Sequence, residues 1–259
     1  MSYATCERRD DAVALITMDR EERLNALGVE LVDDTVAALR EAEADAEIRA
    51  AVLTGAGRAF SSGGDLADVG SRVADGEPAP RLDTMRALHR LIVALRDSRL
   101  PVVASVHGPA YGAGFSTALA CDLIVASEDA RFCQVFVRRN LVPDLGSPWL
   151  LPRAVGQHVA KELMFLGDEI SASEAHRLGI VNRLAPDAEA ATVTALELAA
   201  RMAKVIPATM AMTKGMVNRS QALTLEDSLR LEEHAQAMAL GTPETLAAMR
   251  AFLEKTAQG

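Results

Sequence analysis

Residues 102–122, VVASVHGPAYGAGFSTALACD, determine most of what this chain can be. The apolar run at 102–106, which follows Pro101, is typical of a buried strand. The glycines that come next are Gly108, Gly112 and Gly114. Residues 115–120 are small and apolar enough for a buried helix. Because the first N–H groups of a helix lack intrahelical partners and lie at the positive end of its dipole, the pattern predicts a site that stabilises negative charge.

Three known motifs could explain such a turn. A dinucleotide site needs G-x-G-x-x-G directly after a strand, and residues 112–117 and 55–60 each keep two of the three glycines. A nucleophile elbow needs its serine on the turn itself, whereas Ser116 lies inside the predicted helix. An oxyanion hole needs only backbone N–H groups, with a second donor from elsewhere in the chain. The third motif fits best.

A second donor is available from a turn further upstream. Residues 50–54, AAVLT, have the pattern of another buried strand and lead into GAGRAFSSGGDL at 55–66. Two glycine-rich turns, each leaving a strand, can bring one N–H group apiece to a shared point. Such a pair of donors would stabilise an oxyanion.

With these two turns the chain resembles the crotonase superfamily, also called the enoyl-CoA hydratase/isomerase superfamily. The segments that carry the resemblance follow the family's order and cover most of the chain: NAL at 25–27, LTGAGRAFSSGGDL at 53–66, VHG at 106–108 through Gly114, CDLIVA at 121–126 and ASEAHRLGIVN at 172–182. The resemblance implies an α/β fold with a repeated ββα core and a helical C-terminal part. It also implies oxyanion donors at the N–H groups of Gly64 and Ala113.

The composition is that of an ordinary soluble globular protein. Of 259 residues, 49% are hydrophobic and 24% are charged, and the net charge of −9 argues against nucleic acid as a partner. No apolar run approaches the roughly 20 residues of a membrane helix, and the N-terminus lacks the apolar segment of a signal peptide. Three cysteines without metal-type spacing, and scattered histidines, predict a reducing, cytoplasmic location and no metal site.

Hydrophobic periodicity divides the chain into alternating elements, followed by helices alone after Pro186. The predicted strands are 12–18, 50–54 and 102–106, and the predicted helices are 85–95, 27–43, 188–204, 208–219, 224–240 and 243–255. A polar loop is predicted to follow residue 66. We therefore predict a core at 1–195 that carries the acyl-CoA site, and a helical region at 196–259 for oligomerisation and pocket cover.

The resemblance fails at two catalytic positions. Hydratases of the family use two glutamates to activate water and to protonate the α-carbon, and these align with Ser116 and Phe136. A serine hydroxyl can orient water without deprotonating it, and phenylalanine can only exclude it. Ordinary hydratase chemistry is therefore not expected, although both side chains, with Trp149, are predicted to line the substrate pocket.

One carboxyl group remains near these positions, that of Asp144 in NLVPDLGSPW at 140–149. Turn chemistry alone can explain it, with the aspartate binding its own backbone and Ser147 capping a helix that has a proline in its first turn. The resemblance favours another role, because several isomerases of the superfamily carry a catalytic aspartate in the corresponding segment. An apolar environment should raise the pKa of this carboxyl group. Its apolar neighbours in sequence are Phe136, Leu141, Val142, Leu145 and Trp149.

The remaining polar residues have plainer interpretations. From the residues alone, Asp65 is expected to brace the turn after Gly64, His107 to be packed, and Asp122 to have a structural role. The resemblance implies CoA-binding contacts at Arg23, Ala26, Ser62, Asp65, Leu66 and Lys255, the last from the same or a neighbouring subunit. No cofactor is expected, because coenzyme A is part of the substrate.

The favoured function is a double-bond shift in an enoyl-CoA or a related ring CoA thioester. Two N–H groups would stabilise the enolate while Asp144 carries one proton between two carbons. The alternatives are a hydratase or other crotonase-type lyase, and a catalytically silent CoA-binding or scaffold protein. A hydrolase that uses Ser116 is a distant fourth. The resemblance also implies a homotrimer or a hexamer.

Overall fold

The structure is a computed structural model that describes residues 2–65 and 82–256, the last two as backbone only. Its main feature is a six-stranded sheet in which all neighbours but the first pair are parallel. In spatial order the strands are β1 (Ala4–Arg9), β2 (Val13–Met18), β3 (Ala50–Gly55), β4 (Val102–Val106), β6 (Leu123–Ser127) and β9 (Arg183–Ala185). Parallel strands need crossover connections, and helices supply them here.

A second, three-stranded sheet lies beyond the carboxyl end of β4. It consists of β5 (Pro109–Tyr111), β7 (Arg131–Cys133) and β8 (Glu169–Ser171), with β5 parallel to β7 and β7 antiparallel to β8. A single bridge between Ser61 and Ala110 attaches the segment after β3 to this small sheet. The segments that leave β3 and β4 are thereby held side by side.

The helices follow the periodicity of the sequence closely. They are α1 (Val29–Ala44), α2 (Leu82–Asp97), α3 (Ala113–Ala120), α4 (Ser147–Val155), α5 (Gln157–Leu166), α6 (Ala172–Arg177), α7 (Ala188–Ala203), α8 (Pro207–Arg219), α9 (Leu225–Leu240) and α10 (Pro243–Thr256). Short 3₁₀ turns occupy Glu21–Arg23, Val135–Arg139 and Ser220–Ala222. The six helices predicted from periodicity are confirmed, with bounds shifted by at most three residues.

Both faces of the main sheet are covered, as a parallel sheet requires. One face packs on α1, α2 and α3 through a large core that includes Ile16, Leu53 and Phe115. The other face packs on α7, which presents an alanine at every fourth position. These residues are Ala191, Ala195, Ala199 and Ala203, and they lie against Val13, Val52, Val103 and Val125. Small side chains at one helical spacing let the helix approach the sheet closely.

The α/β fold with a helical C-terminal part is therefore confirmed. The predicted boundary between residues 195 and 196 falls within α7, which packs on the sheet over its whole length. The polar loop predicted after residue 66 lies outside the described residues. No helix in the described ranges is long and apolar enough to cross a bilayer.

Candidate active site

The site forms where the segments after β3 and β4 run side by side. Three backbone hydrogen bonds join them: Phe60 N–H to His107 O at 2.9 Å, Ser61 N–H to Pro109 O at 3.0 Å, and Tyr111 N–H to Ser61 O at 3.0 Å. The pairing brings Gly63 against the start of α3. A Cβ on Gly63 would lie 2.8 Å from Tyr111 O and 3.6 Å from Ala113 N, and its φ of +104° also requires glycine.

Two unpaired N–H groups meet at this contact. Those of Gly64 and Ala113 donate no hydrogen bond to any group in residues 2–65 and 82–256. Ala113 begins α3, and Gly112 before it has φ 49° and ψ −116°, with no side-chain cap on the helix. A helix start with an unused N–H, next to a second unused N–H from another loop, has the donors that an oxyanion requires.

The segment before α1 holds the first of these loops in place. Asn25 is fully buried, with φ of 54°, and its side-chain amide donates to Ala56 O at 2.9 Å and Ala59 O at 2.8 Å. Leu27 N–H donates to Gly63 O at 2.7 Å, and Asp65 N–H donates to Leu27 O at 3.1 Å. These bonds fix the backbone on both sides of Gly64.

An ion pair braces the same loop. The guanidinium of Arg20 lies 2.8 Å from Asp65 Oδ2, and both side chains are mostly buried, with 15% and 7% of their surface exposed. This agrees with the bracing role expected for Asp65. The sequence did not predict that Arg20 forms this ion pair, because a lone arginine after a strand has no local pattern to distinguish it from a surface charge. Asn25 was recognised only as part of the family's NAL segment.

Asp144 has an environment unlike that of a turn aspartate. Its Oδ1 atom is buried and accepts no hydrogen bond from the described residues, and burial raises the pKa of the carboxyl group to about 6. The alternative in which turn chemistry occupies the side chain is therefore not supported at Oδ1. Ser147 does not cap a helix either: Gly146 is the N-cap residue of α4, and the buried Ser147 hydroxyl has no hydrogen-bond partner in the described part of the chain.

Two of the five predicted apolar neighbours of Asp144 are buried and three are exposed. Leu145 is fully buried and Phe136 is 6% exposed, whereas Leu141 is 46%, Val142 is 80% and Trp149 is 40% exposed. A Cβ on Gly112 would lie 3.5 Å from Phe136 Cζ, so the phenyl ring lies beside the start of α3. The apolar surroundings expected for Asp144 are thus formed by part of the predicted set.

Ser116 is fully buried, and its hydroxyl is directed at backbone rather than at open space. The Oγ atom lies 3.1 Å from Gly112 O and 3.1 Å from Asp144 O. Since both acceptors are carbonyl oxygens, the hydroxyl acts as the donor. The prediction that this side chain lines the substrate pocket stays a prediction, and the structure adds that its hydroxyl is engaged with the main chain.

Trp149 takes part in two cation–π contacts. Its ring is 40% exposed and is stacked with Arg153, whose Cζ lies 3.8 Å from the ring centroid, and with Arg96, whose Cζ lies at 5.3 Å. The indole lines a polar cavity of about 270 Å³ together with Asp122 and Asn218. Its assignment to the substrate pocket stays a prediction.

The CoA contacts implied by the resemblance stay predictions. Arg23 is exposed on the 3₁₀ turn at its C-terminal end, Ala26 is 7% exposed, and the Ser62 hydroxyl donates to Arg23 O at 3.2 Å. These three residues lie together beside the loop that carries Gly64. Leu66 and the side chain of Lys255 lie outside the described part of the chain.

The remaining polar residues have the structural roles expected of them. His107 is 6% exposed, and its Nε2 donates to Gly57 O at 3.0 Å. Asp122 Oδ2 accepts from Val102 N–H and from Lys214 Nζ, each at 2.7 Å. Neither side chain is needed to explain the unpaired donors or the buried carboxyl group.

Comparison with known proteins agrees with this geometry. A 1,2-epoxyphenylacetyl-CoA isomerase of Escherichia coli K12 is 35% identical over 95% of this chain and 94% of its own. The structure of an enoyl-CoA hydratase from Polaromonas sp. JS666 superposes with a TM-score of 0.91, at 34% identity, over 97% of each chain. An enoyl-CoA hydratase/isomerase from Cupriavidus metallidurans CH34 has a TM-score of 0.90, at 37% identity, over 98% of this chain and 94% of the other. The sequence model of the enoyl-CoA hydratase/isomerase family matches residues 8–258, and the chain belongs to that family.

Proposed function

We propose that this enzyme shifts a double bond within an enoyl-CoA or a related ring CoA thioester, with Asp144 as the sole proton carrier. The observation that carries the proposal is the combination of one buried, weakly acidic carboxyl group with Ser116 and Phe136 at the positions of the two hydratase glutamates. Members of the family act on acyl-CoA thioesters, so the substrate class follows from the family and the reaction from these residues.

The first step is removal of a proton next to the thioester or its double bond. These protons are weakly acidic, so the barrier lies in the negative charge that develops on the thioester oxygen. The N–H groups of Gly64 and Ala113 have no acceptor among the described residues and so can donate to that oxygen. Losing one preorganised donor of this kind raises the barrier by about 3–4 kcal/mol. In this mechanism the two N–H groups therefore provide most of the stabilisation of the enolate.

The second step returns the proton to a different carbon. A carboxylate that has taken a proton from one carbon can give it back two carbons away without activated water. Burial supports this, because a pKa of about 6 makes Asp144 a stronger base than an exposed aspartate while leaving it ionised at neutral pH. The relative from Escherichia coli is named an isomerase, which also supports the proposal.

The second candidate is hydration of a 2-enoyl-CoA. It is favoured by the Polaromonas protein, which is named a hydratase and superposes closely. Hydration needs one group to deprotonate water and one to protonate the α-carbon, and Ser116 and Phe136 provide neither. A silent CoA-binding protein is disfavoured, because a carboxyl group whose buried Oδ1 finds no donor among the described residues destabilises the fold and has no purpose in a scaffold.

The test compares wild type with Asp144→Asn on 2-enoyl-, 3-enoyl- and arylacetyl-derived CoA thioesters. Isomerisation by wild type in deuterated water should retain part of the substrate hydrogen in the product, and Asp144→Asn should lose turnover while still binding CoA esters. Asp168→Asn makes the same change at an exposed carboxylate paired with Arg138 and is the matched control. Fast hydration that is unaffected by Asp144→Asn would refute the proposal.

A further inference from the structure

The hydroxyl of Ser116 joins two parts of the site that are distant in sequence. Its acceptors are Gly112 O, immediately before the first residue of α3, and Asp144 O, on the loop that precedes α4, each at 3.1 Å. Ser116 N–H donates to the same Gly112 carbonyl at 3.0 Å, so the hydroxyl is anchored in the first turn of α3. The serine therefore spans from the helix that presents Ala113 N–H to the main chain of Asp144.

Little else positions the Asp144 side chain. Its Oδ1 atom accepts no hydrogen bond from the described residues, so no donor fixes the carboxyl group directly. The main chain is held by the bond from Ser147 N–H to Asp144 O, at 3.0 Å, and by the burial of Leu145. The location of the carboxyl group relative to the oxyanion donors consequently depends on how the backbone at Asp144 is attached to α3.

We propose that Ser116 is a positioning residue whose hydroxyl ties the Asp144 loop to the start of α3 and thereby sets the base against the oxyanion donors. This inference rests on the proposed function, since it takes Asp144 as the base and Ala113 N–H as a donor. The tie keeps the carboxyl group at one place during proton removal and return. It also holds the loop in the position that buries Oδ1 of that group.

The chemistry of the tie requires a hydroxyl. Both acceptors are carbonyl oxygens, so the single hydroxyl proton is shared between them in a three-centre hydrogen bond, which only a side chain with a proton to give can make. An ionised glutamate at this position would bring negative charge against two carbonyl oxygens and could not make the same bond. Serine at position 116 therefore does more than remove a water-activating carboxylate. It provides a hydrogen-bonded link between the base and the oxyanion hole.

The experiment measures kcat, KM and the pH profile of isomerisation in four variants. Ser116→Ala removes the hydroxyl, Ser116→Thr restores one, and Ser116→Cys conserves size with a weak donor. Thr117→Val is the matched control: Thr117 is equally buried on the same helix, but its hydroxyl donates only to Ala113 O, at 2.9 Å. Circular dichroism and thermal unfolding establish that each variant is folded.

Ser116→Ala should lower kcat roughly tenfold or more with little change in KM, because the base loses its alignment while the binding groups stay. The acidic limb of its pH profile should move below about 6, since a freed carboxyl group gains water and burial is what raises its pKa. Ser116→Thr should recover most of the lost kcat. Thr117→Val should leave the limb in place even if it lowers the melting temperature.

Unchanged kcat and an unchanged limb in folded Ser116→Ala would overturn the inference. An equal shift in Thr117→Val would also overturn it, because the effect would then come from general loosening of α3. If Ser116→Ala does not fold, the same comparison is made with Ser116→Cys. The inference and the proposed function can fail separately. If Ser116→Ala keeps its kcat and Asp144→Asn is inactive, only the positioning role of Ser116 is refuted. If Asp144→Asn is active, both are refuted.

Discussion

The Oδ1 atom of Asp144 accepts no hydrogen bond from residues 2–65 and 82–256, and burial raises the pKa of the carboxyl group from 3.8 to about 6. The same desolvation that makes it a better base also penalises its ionised form in the folded state. Above about pH 6 the folded protein carries a buried charge that the unfolded chain exposes to water. Activity and stability are therefore opposed at this one residue.

Asp144→Asn should for this reason stabilise the protein at pH 8. A folded pKa above the unfolded one means that stability falls as pH rises from 3.8 to about 6, and the amide, which never ionises, escapes that loss. The gain should be on the order of 1–2 kcal/mol at pH 8 after screening by solvent. Urea unfolding of wild type and Asp144→Asn near pH 3.8 and at pH 8 measures this difference in the free energy of unfolding.

The gain should shrink as pH falls through about 6 and nearly vanish near 3.8, where the wild-type carboxyl group is protonated in both states. Asp168→Asn, at an exposed carboxylate, should change stability by less than about 0.5 kcal/mol at either pH. Equal stability of wild type and Asp144→Asn at pH 8 would contradict this prediction. It would mean that a hydrogen-bond donor offsets the desolvation cost of the carboxylate when the protein is in solution.

Substitution of Ala113, another single residue of the site, tests the oxyanion donors. Proline is tolerated at the first position of a helix, which Ala113 occupies in α3, so Ala113→Pro removes one N–H group at small cost to the helix. Turnover should fall roughly 10²- to 10³-fold, as expected for the loss of one oxyanion donor. Ala113→Ser keeps the N–H and should stay close to wild type. Full turnover in a folded Ala113→Pro variant would show that this N–H is not used.

At the scale of elements, α8 is attached to the core by a buried ammonium group. Lys214 Nζ donates to Leu95 O and Leu100 O, each at 2.9 Å, and to Asp122 Oδ2 at 2.7 Å, with 5% of its side chain exposed. All three N–H bonds of the ammonium are used. Leu95 lies in the last turn of α2, Leu100 precedes β4 and Asp122 precedes β6, so one side chain joins the helical part to three points of the α/β core.

Lys214→Met should cost about 3–5 kcal/mol of folding free energy, because it leaves two buried carbonyls and a carboxylate without their donor. Arg230→Met is the control, since Arg230 and Glu226 form an exposed pair within α9, with 63% and 76% of their side chains exposed. That change should cost less than about 1 kcal/mol. Urea denaturation measures the free energy of unfolding of both variants. Similar decreases in Lys214→Met and Arg230→Met would refute the role of Lys214 as a buried attachment of α8.

At the scale of the whole molecule, the last two helices expose many large apolar side chains. Leu225 is 76%, Met238 is 67% and Leu246 is 46% exposed, and no residue of α9 is buried. Monomers rarely expose apolar surface this extensive, and copies of the same chain are the simplest cover. We therefore predict that the homotrimer or hexamer implied by the family resemblance covers these helices.

Analytical ultracentrifugation at micromolar concentration should therefore give the mass of three or six chains. Replacing Leu225 and Met238 together by glutamate should lower the mass, because it puts charge into the apolar surface. The same double change on a protein that is naturally monomeric would have little effect. A stable wild-type monomer under these conditions would contradict the prediction.

Local patterns in the sequence were enough for the elements and for the general plan. A strand or an amphipathic helix is set by side chains a few residues apart, so β3, β4, α1, α2 and all four helices after Pro186 could be predicted from their periodicity. The two glycine-rich turns predicted a pair of unpaired N–H groups, because a helix start leaves its first donors unused wherever it lies. The position of Asp144 beside these turns came from the family resemblance.

Only the tertiary structure decided which side chains meet. The Ser116 hydroxyl finds its acceptor 28 residues away and Lys214 finds its carboxylate 92 residues away, and no local pattern encodes such a pairing. Trp149 is near Asp144 in sequence, and only the packing of the fold shows that its ring stacks with Arg96 and Arg153. Local structure follows from neighbours along the chain, whereas the environment of a side chain follows from packing that the whole fold completes.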